Sequence, residues 1–341
     1  MEKITIAIDA MGGDHGVEVT VPAALSVLKK YENLYLILVG IEDAIQGQLK
    51  KYHAENHSRI LIKSASEVVM MDESPTAALR YKKDSSMRIA INLVKEGTAQ
   101  ACVSAGNTGA LMAIAKFVLK MLPGVDRPAL VARLPTFNKK KEAYMLDLGA
   151  NVDSCAEHLY QFAVMGSILA SVIDGIEKPK VGLLNIGGED IKGNDQVKQA
   201  AKLLTESPNI NYYGYVEADN IFKGMVDVVV CDGFVGNVAL KAVEGTAKLV
   251  IFYVKKAFKR NLYTRLAKLI SIPALLTFKK ELDPGKRNGA SFLGLQGIVI
   301  KSHGGANIPA FANAIKEAIL EVQHNVPALI GKKVSEALKE I

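Results

Sequence analysis

Ala101-Cys-Val-Ser-Ala-Gly-Asn-Thr-Gly-Ala-Leu-Met112 decides the fold. The first four residues are small or apolar and read as a short buried strand. Gly106 and Gly109 then allow a tight turn, and a run of Ala, Leu and Met continues as a helix to about Lys120. The same grammar recurs along the chain. A strand over 4–9 leads into Ala10-Met-Gly-Gly-Asp14 and a helix near 21–30. Strands at 143–148, 181–184, 226–231 and 297–301 each run into a Gly-, Asn- or Asp-bearing loop and then a helix. Residues 35–39 and 60–62 read as further strands. Continuous apolar strands alternating with helices predict an α/β fold with a doubly wound, mostly parallel sheet. Ligands of such sheets bind where strands end. The strand-end loops are therefore expected to converge on one edge.

The 341 residues are 49% hydrophobic and 23% charged, with 11 Pro, which excludes a disordered or low-complexity chain. No Ser/Pro-rich linker divides it. A single domain over 1–341 is expected, carrying a basic amphipathic helical insertion at about 250–282. The echo between Gly106-Asn-Thr-Gly-Ala-Leu111 and Gly236-Asn-Val-Ala-Leu240 hints at internal duplication. Cys102, Cys155 and Cys231 are scattered, so neither a disulfide framework nor a zinc site is expected, and a cytoplasmic location fits. The first residues enter a strand directly, without signal-peptide character.

The net charge of +7 has an address. Eight basic and no acidic residues lie within 255–280, among them Lys255, Lys256, Lys259, Arg260, Arg265 and Lys268; the remainder has 34 basic and 35 acidic residues. Val250, Val254, Phe258, Leu262, Leu266 and Leu269 fall at helical spacing in the same region, and 269–278 carries no charge. One basic amphipathic helix with an apolar tip is expected. An anchor on anionic lipid, a dimer-forming helix and a docking site for an acidic protein all fit it. Lysines at Asn138-Lys-Lys-Lys141 read as solvated loop charge. Nucleic acid is not an expected partner, since no basic–aromatic interleaving or binding module occurs.

Ser104-Ala-Gly-Asn-Thr-Gly109 is the strongest anion site. Its turn aims backbone N–H groups and the helix dipole at one point, with Ser104, Gly106, Thr108 and Gly109 as phosphate-binding residues. Gly12 and Gly13 form a second such loop beside Asp9. Asp147, Asn151, Asn185 and Asp232 are supporting polar residues at other strand ends. No Walker lysine and no Gly-x-Gly-x-x-Gly of the dinucleotide type occurs, and no cofactor or metal is expected. No nucleophile elbow is present, and a Cys155–His158 nucleophile is weakly supported. Direct attack of one bound substrate on another is favoured.

Asp9-Ala-Met-Gly-Gly-Asp14, Ser104-Ala-Gly-Asn-Thr-Gly-Ala110, Leu134-Pro-Thr136, Asp147-Leu-Gly-Ala-Asn-Val-Asp153, Gly182-Leu-Leu-Asn185, Asp232-Gly-Phe-Val-Gly-Asn237 and Ser302-His-Gly304 occur in this order. In this the chain closely resembles the bacterial phosphate acyltransferases of phospholipid synthesis. It departs from them at Gly187-Gly-Glu189, where that family is expected to carry Gly-Thr-Glu. The resemblance implies transfer of a long-chain acyl group from acyl carrier protein to inorganic phosphate. The acyl phosphate would feed a membrane glycerol-3-phosphate acyltransferase. It also implies a three-layer α/β/α fold similar to phosphotransacetylase and isopropylmalate dehydrogenase, a homodimer and peripheral membrane attachment. Within that chemistry Asn107 or Asn237 is expected to hold the oxyanion, and His303 to protonate or steady the leaving thiolate. A phosphotransacetylase-like enzyme using acyl-CoA, a membrane scaffold and a nicotinamide dehydrogenase are the competing readings.

Overall fold

A computed structural model describes residues 2–138 and 141–337. In chain order the elements are β1 (Ile4–Asp9), α1 (Val17–Leu28), β2 (Leu34–Gly40), α2 (Glu42–Lys51), β3 (Ile60–Ser64), α3 (Pro75–Tyr81), α4 (Ser86–Lys95), β4 (Ala101–Ser104), α5 (Thr108–Leu119), β5 (Ala129–Pro135), β6 (Glu142–Leu146), α6 (Ala156–Asp174), β7 (Lys180–Leu184), α7 (Asp195–Glu206), β8 (Asn211–Val216), β9 (Val228–Val230), α8 (Gly233–Ala257), α9 (Leu262–Glu281), β10 (Ala290–Leu293), β11 (Ile298–Lys301), α10 (Ile308–Gln323) and α11 (Val326–Ala337).

One eleven-stranded sheet runs β3-β2-β1-β4-β11-β10-β5-β6-β9-β7-β8. Alternate residues of β1 enter opposite layers. Ile6 and Ile8 pack with Val21, Ala24, Phe311 and Ile315 of α1 and α10. Ala7 faces Met87, Ala90 and Ile91 of α4. In the other half, Tyr144, Leu146, Val228 and Val230 pack on α6, while Met145 and Val229 join the core that holds α4 and α5. Burial of both faces is what a three-layer α/β/α arrangement requires. α6 is long and apolar enough to span a bilayer, yet most of it is buried in this core.

The sheet is mostly parallel, but its centre is not. β10 pairs antiparallel with β11 and with β5, and β5 pairs antiparallel with β6. Each antiparallel step reverses the strand direction. β3, β2, β1, β4 and β11 therefore run one way, and β6, β9, β7 and β8 run the other. The expected convergence of all strand-end loops on one edge is corrected here. Loops after β1, β4 and β11 form one group, at what we term the near edge. Loops after β6, β7 and β9 form another, at the far edge.

The basic segment also differs from expectation. It is two helices rather than one, with the chain leaving helix at Phe258 and restarting at the Asn261 cap. Asn261 accepts from the Thr264 N–H at 2.9 Å, and its own N–H donates to the Thr264 hydroxyl at 3.1 Å. This capping box competes with continued helix. The uncharged stretch 269–278 is thus the interior of α9, not a tip. α8 buries only Gly233 and Gly236, and α9 buries no residue. Lys139 and Lys140 lie outside the described residues. Lys141 is not a solvated charge: its ammonium pairs with Asp227 at 2.9 Å and donates to the Gly224 carbonyl at 3.0 Å.

Candidate active site

The near edge is laced by short polar contacts. Ser104 ends β4, fully buried, and donates its hydroxyl to Asp9 Oδ2 at 2.6 Å. Ser104 Oγ in turn accepts the Gly106 N–H at 3.0 Å. The Ser302 N–H donates to the Ser104 carbonyl at 2.8 Å, and the Asp14 N–H to the Gly304 carbonyl at 3.0 Å. Three loops are thereby tied together. A Cβ on Gly12 would sit 2.7 Å from Asp9 Oδ2 and 2.8 Å from the Gly106 nitrogen, so the close approach of the first two loops requires glycine. Gly13 has φ +85° and lies under Gly304.

Asp9 is buried, and burial pushes its pKa up while the Ser104 hydroxyl pulls it back. Its Oδ1 has no hydrogen-bond partner among the described residues. An unmatched buried carboxylate oxygen is costly and points to a charge or ligand nearby. Lys301 supplies charge of the right sign. It ends β11 opposite Ser104, only 8% exposed. Its ammonium donates to the Ala105 carbonyl at 3.3 Å and to the Ser302 carbonyl. Burial, then Lys241, lowers its pKa to about 8, against the pull of Asp14 and Asp9. The sequence reading missed Lys301. The signal was a lone charge closing the apolar run Gly297-Ile-Val-Ile300 immediately before a Gly-rich loop.

His303 follows on the same loop. Its N–H donates to Asn288 Oδ1 at 2.9 Å, and Nδ1 accepts from the Gly305 N–H at 3.1 Å. An accepting Nδ1 leaves the proton on Nε2. Burial, then Lys241, pushes the His303 pKa below its usual value. Both effects favour the neutral imidazole, with its proton on Nε2 as a hydrogen-bond donor. A donor of that kind suits steadying a leaving thiolate as well as an oxyanion.

Two further assignments change at the start of α5. Asn107 is the helix cap: Oδ1 accepts the Ala110 N–H at 3.0 Å, and Nδ2 donates to the Met71 and Glu73 carbonyls, both at 2.9 Å. Both amide hydrogens are committed, so this geometry does not offer an oxyanion donor at Asn107. Gly109 is glycine because α3 crosses there, its Cβ position being 2.8 Å from Pro75 Cγ. Ser104, spent on Asp9 and Gly106, organises the loop rather than reaching a ligand. The N–H groups of Thr108 and Gly109, in the first turn of α5, donate no hydrogen bond among the described residues.

The far edge is a separate construction. Asp147 is buried and saturated. Oδ1 accepts the N–H groups of Leu130 at 2.9 Å, Gly149 at 3.2 Å and Ala150 at 2.9 Å. Oδ2 accepts the Asn151 N–H at 2.7 Å and its Nδ2 at 2.8 Å. Asn151 also reaches the Pro128 carbonyl at 2.7 Å. Asp232 caps α8 through the Val235 N–H at 2.9 Å. Gly233 and Gly236 leave no room for a side chain against Asn151 and Asp147. Asn185 braces the 185–193 loop against Lys192 and Gly193. Gly188 faces open space on that loop. Asn237 is exposed beside Gly149, and its side chain makes no hydrogen bond to another described residue. The structure thus gathers Asp9, Gly12, Gly13, Ser104, Gly106, Asn107, Thr108, Gly109 and His303 at the near edge. It leaves Asp147, Asn151, Asn185, Asp232 and Asn237 at the far edge. α8 joins the two, starting on Asp147 and bringing the fields of Lys241, Glu244 and Lys248 to His303.

All six basic residues expected to dock, Lys255, Lys256, Lys259, Arg260, Arg265 and Lys268, are exposed around the α8–α9 turn. Among the described residues no group of three or more His, Cys, Asp or Glu is placed to hold a metal ion. An open cleft of about 280 Å³ beside Arg133 and Lys286 is lined by the ion pairs Arg133–Glu317 and Arg287–Glu142 and stands behind the Asn288 side of the site.

A model of the fatty acid synthesis protein family matches residues 4–329. A phosphate acyltransferase of Legionella pneumophila (strain Paris) is 59% identical over 340 residues, covering 100% of this chain and 99% of the relative. One from Alkalilimnicola ehrlichii is 58% identical over 337 residues, covering 99% and 98%. Among solved structures, a phosphotransacetylase from Streptococcus pyogenes superposes with a TM-score of 0.64 at 18% identity, covering 95% of this chain and 94% of that one.

Proposed function

Because the chain belongs to the fatty acid synthesis protein family and matches phosphate acyltransferases end to end, we propose that this acyltransferase takes its acyl group from acyl carrier protein. The acceptor is inorganic phosphate, and the route is phospholipid synthesis. The observation that carries the site is the Ser104–Asp9–Gly106 lattice beneath the first turn of α5. Phosphate, with a second ionisation near neutrality, is already largely dianionic and needs no strong base. Held at the Thr108 and Gly109 N–H groups, one phosphate oxygen attacks the thioester carbonyl carbon. A C–O bond forms and the carbonyl electrons move onto oxygen. The neutral His303 Nε2–H is the donor for that oxyanion, an interaction worth roughly 3–4 kcal/mol. Collapse breaks the C–S bond, and the thiolate leaves on the carrier.

The exposed apolar and basic faces of α8 and α9 support three further parts of the reading. Leu262, Leu266, Leu269 and Leu276 are all more than half exposed, an apolar surface too extensive to leave in water. A second copy of the chain and an anionic membrane cover it between them. A peripheral cytoplasmic enzyme in that position hands acyl phosphate to a membrane glycerol-3-phosphate acyltransferase. The exposed lysines and arginines also suit the acidic carrier protein.

Incubating labelled acyl carrier protein with and without phosphate, and trapping the product as a hydroxamate, tests the reading. Phosphate-dependent hydroxamate is expected. Its absence refutes acyl phosphate formation, and equal or better use of acyl-CoA refutes the carrier assignment.

A further inference from the structure

Lys301 stands at the seam of the near edge. It pairs in register with Ser104 on one side and Ala290 on the other. Its ammonium reaches the Ala105 carbonyl in the loop after β4 and the Ser302 carbonyl in the loop after β11. The first loop runs into the α5 turn; the second carries His303. We infer that Lys301 is the positioning residue of the phosphate subsite, clamping these two loops together and placing a buried positive charge beneath the turn that receives phosphate. The inference rests on the function proposed above.

Three observations support it. A lysine is almost never this buried unless its charge is paired. The groups facing it are Asp9 on β1, Asp14 in the following loop, Lys241 on α8 and His303 on its own loop. Among the described residues its ammonium contacts only carbonyls, and Asp9 and Asp14 act on it from beyond ion-pair distance, so neither neutralises it fully. Its hydrogen bonds to two carbonyls orient the ammonium without cancelling its charge. An incoming dianion supplies the missing countercharge. With a pKa of about 8, the lysine is charged at neutral pH and loses its proton as pH rises further.

The test is phosphate affinity, measured by calorimetry, together with the phosphate KM from hydroxamate formation. Lys301→Met keeps the apolar stem and removes the charge. The phosphate Kd and KM are expected to rise about 10-fold or more, while the acyl-donor KM changes less than about 3-fold. In the wild type the phosphate Kd is expected to weaken above about pH 8, and Lys301→Arg, permanently charged, removes that limb. Phosphate affinity of Lys301→Met within about 2-fold of wild type overturns the proposal. If Lys301→Met does not fold, a wild-type phosphate Kd that is flat above about pH 8 overturns it instead. Calorimetric phosphate binding lost in Lys301→Met while the wild type makes no acyl phosphate supports this role and refutes the reaction.

Discussion

Ser104 and Asp9, on neighbouring strands and 95 residues apart, share a 2.6 Å hydrogen bond with no solvent access to either residue beyond 1%. It ties the end of β1 to the end of β4, beneath the α5 turn. Ser104→Ala leaves Asp9 Oδ2 without its hydroxyl and frees the Gly106 N–H. A loss of about 1–3 kcal/mol in stability is expected from the orphaned carboxylate. Phosphate-dependent turnover should fall by about 10-fold or more, because the α5 turn loses its anchor. Thermal unfolding and the hydroxamate assay measure the two effects separately.

The two asparagines that share a sequence echo should behave differently. Asn107→Ala removes a helix cap and a clamp on Met71 and Glu73, costing about 1–2 kcal/mol along with activity. Asn237→Ala removes an exposed carboxamide, and its stability should stay within about 0.5 kcal/mol of wild type. Comparing melting temperatures of the two variants distinguishes cap from surface residue. A large loss of stability in Asn237→Ala would contradict its placement.

Glu321 sits buried in α10 with one oxygen unpaired, and burial, reinforced by Glu317, pushes its pKa up to about 8. The folded protein therefore keeps a proton that the unfolded chain releases at a pKa of 4.5. Stability from this site is intact at low pH and declines as pH rises from the unfolded value towards about 8. Glu321→Gln should flatten that decline and raise stability at pH 8 by on the order of 2 kcal/mol. Melting curves of both proteins at pH 5 and about pH 8 test it; parallel curves would show that Glu321 is ionised in the fold.

Reversing Lys255, Lys259 and Lys268 to Glu should release the protein from anionic vesicles, since each basic residue near such a surface contributes about 1 kcal/mol. None of the three is buried, so the fold should persist. Vesicle sedimentation and carrier-protein turnover are read together. Retained vesicle binding with collapsed turnover would make the patch a carrier-protein dock.

The β-strand, loop and helix grammar was legible because each unit is local. Ile4–Asp9 keeps the bounds of its apolar run, and the helix after Ser104 ends at Leu119, where its pattern implies. β5 and β10 were not legible. Arg133 interrupts one, and the other is four residues containing Ser291. Strand direction carries no local signature, so the division of the loops between two edges was out of reach. The role of Asn107 depends on Met71 and Glu73, whose carbonyls arrive from a segment 34–36 residues away. The break at Asn261 was written in the sequence as Asn261-Leu-Tyr-Thr264, but the apolar spacing running through it suggested one helix.

The order of strands in the sheet has a consequence for synthesis. β4 and β5 never pair with each other; β11 and β10 lie between them. Those two strands come from 290–301, after every other strand has emerged from the ribosome. Until then the chain holds two half-sheets with unpaired edges at β4 and β5, the kind of surface that recruits other strands. The final segment is a keystone. It closes the sheet and, in the same step, delivers Lys301 and His303, so the nascent chain acquires its fold and its site together.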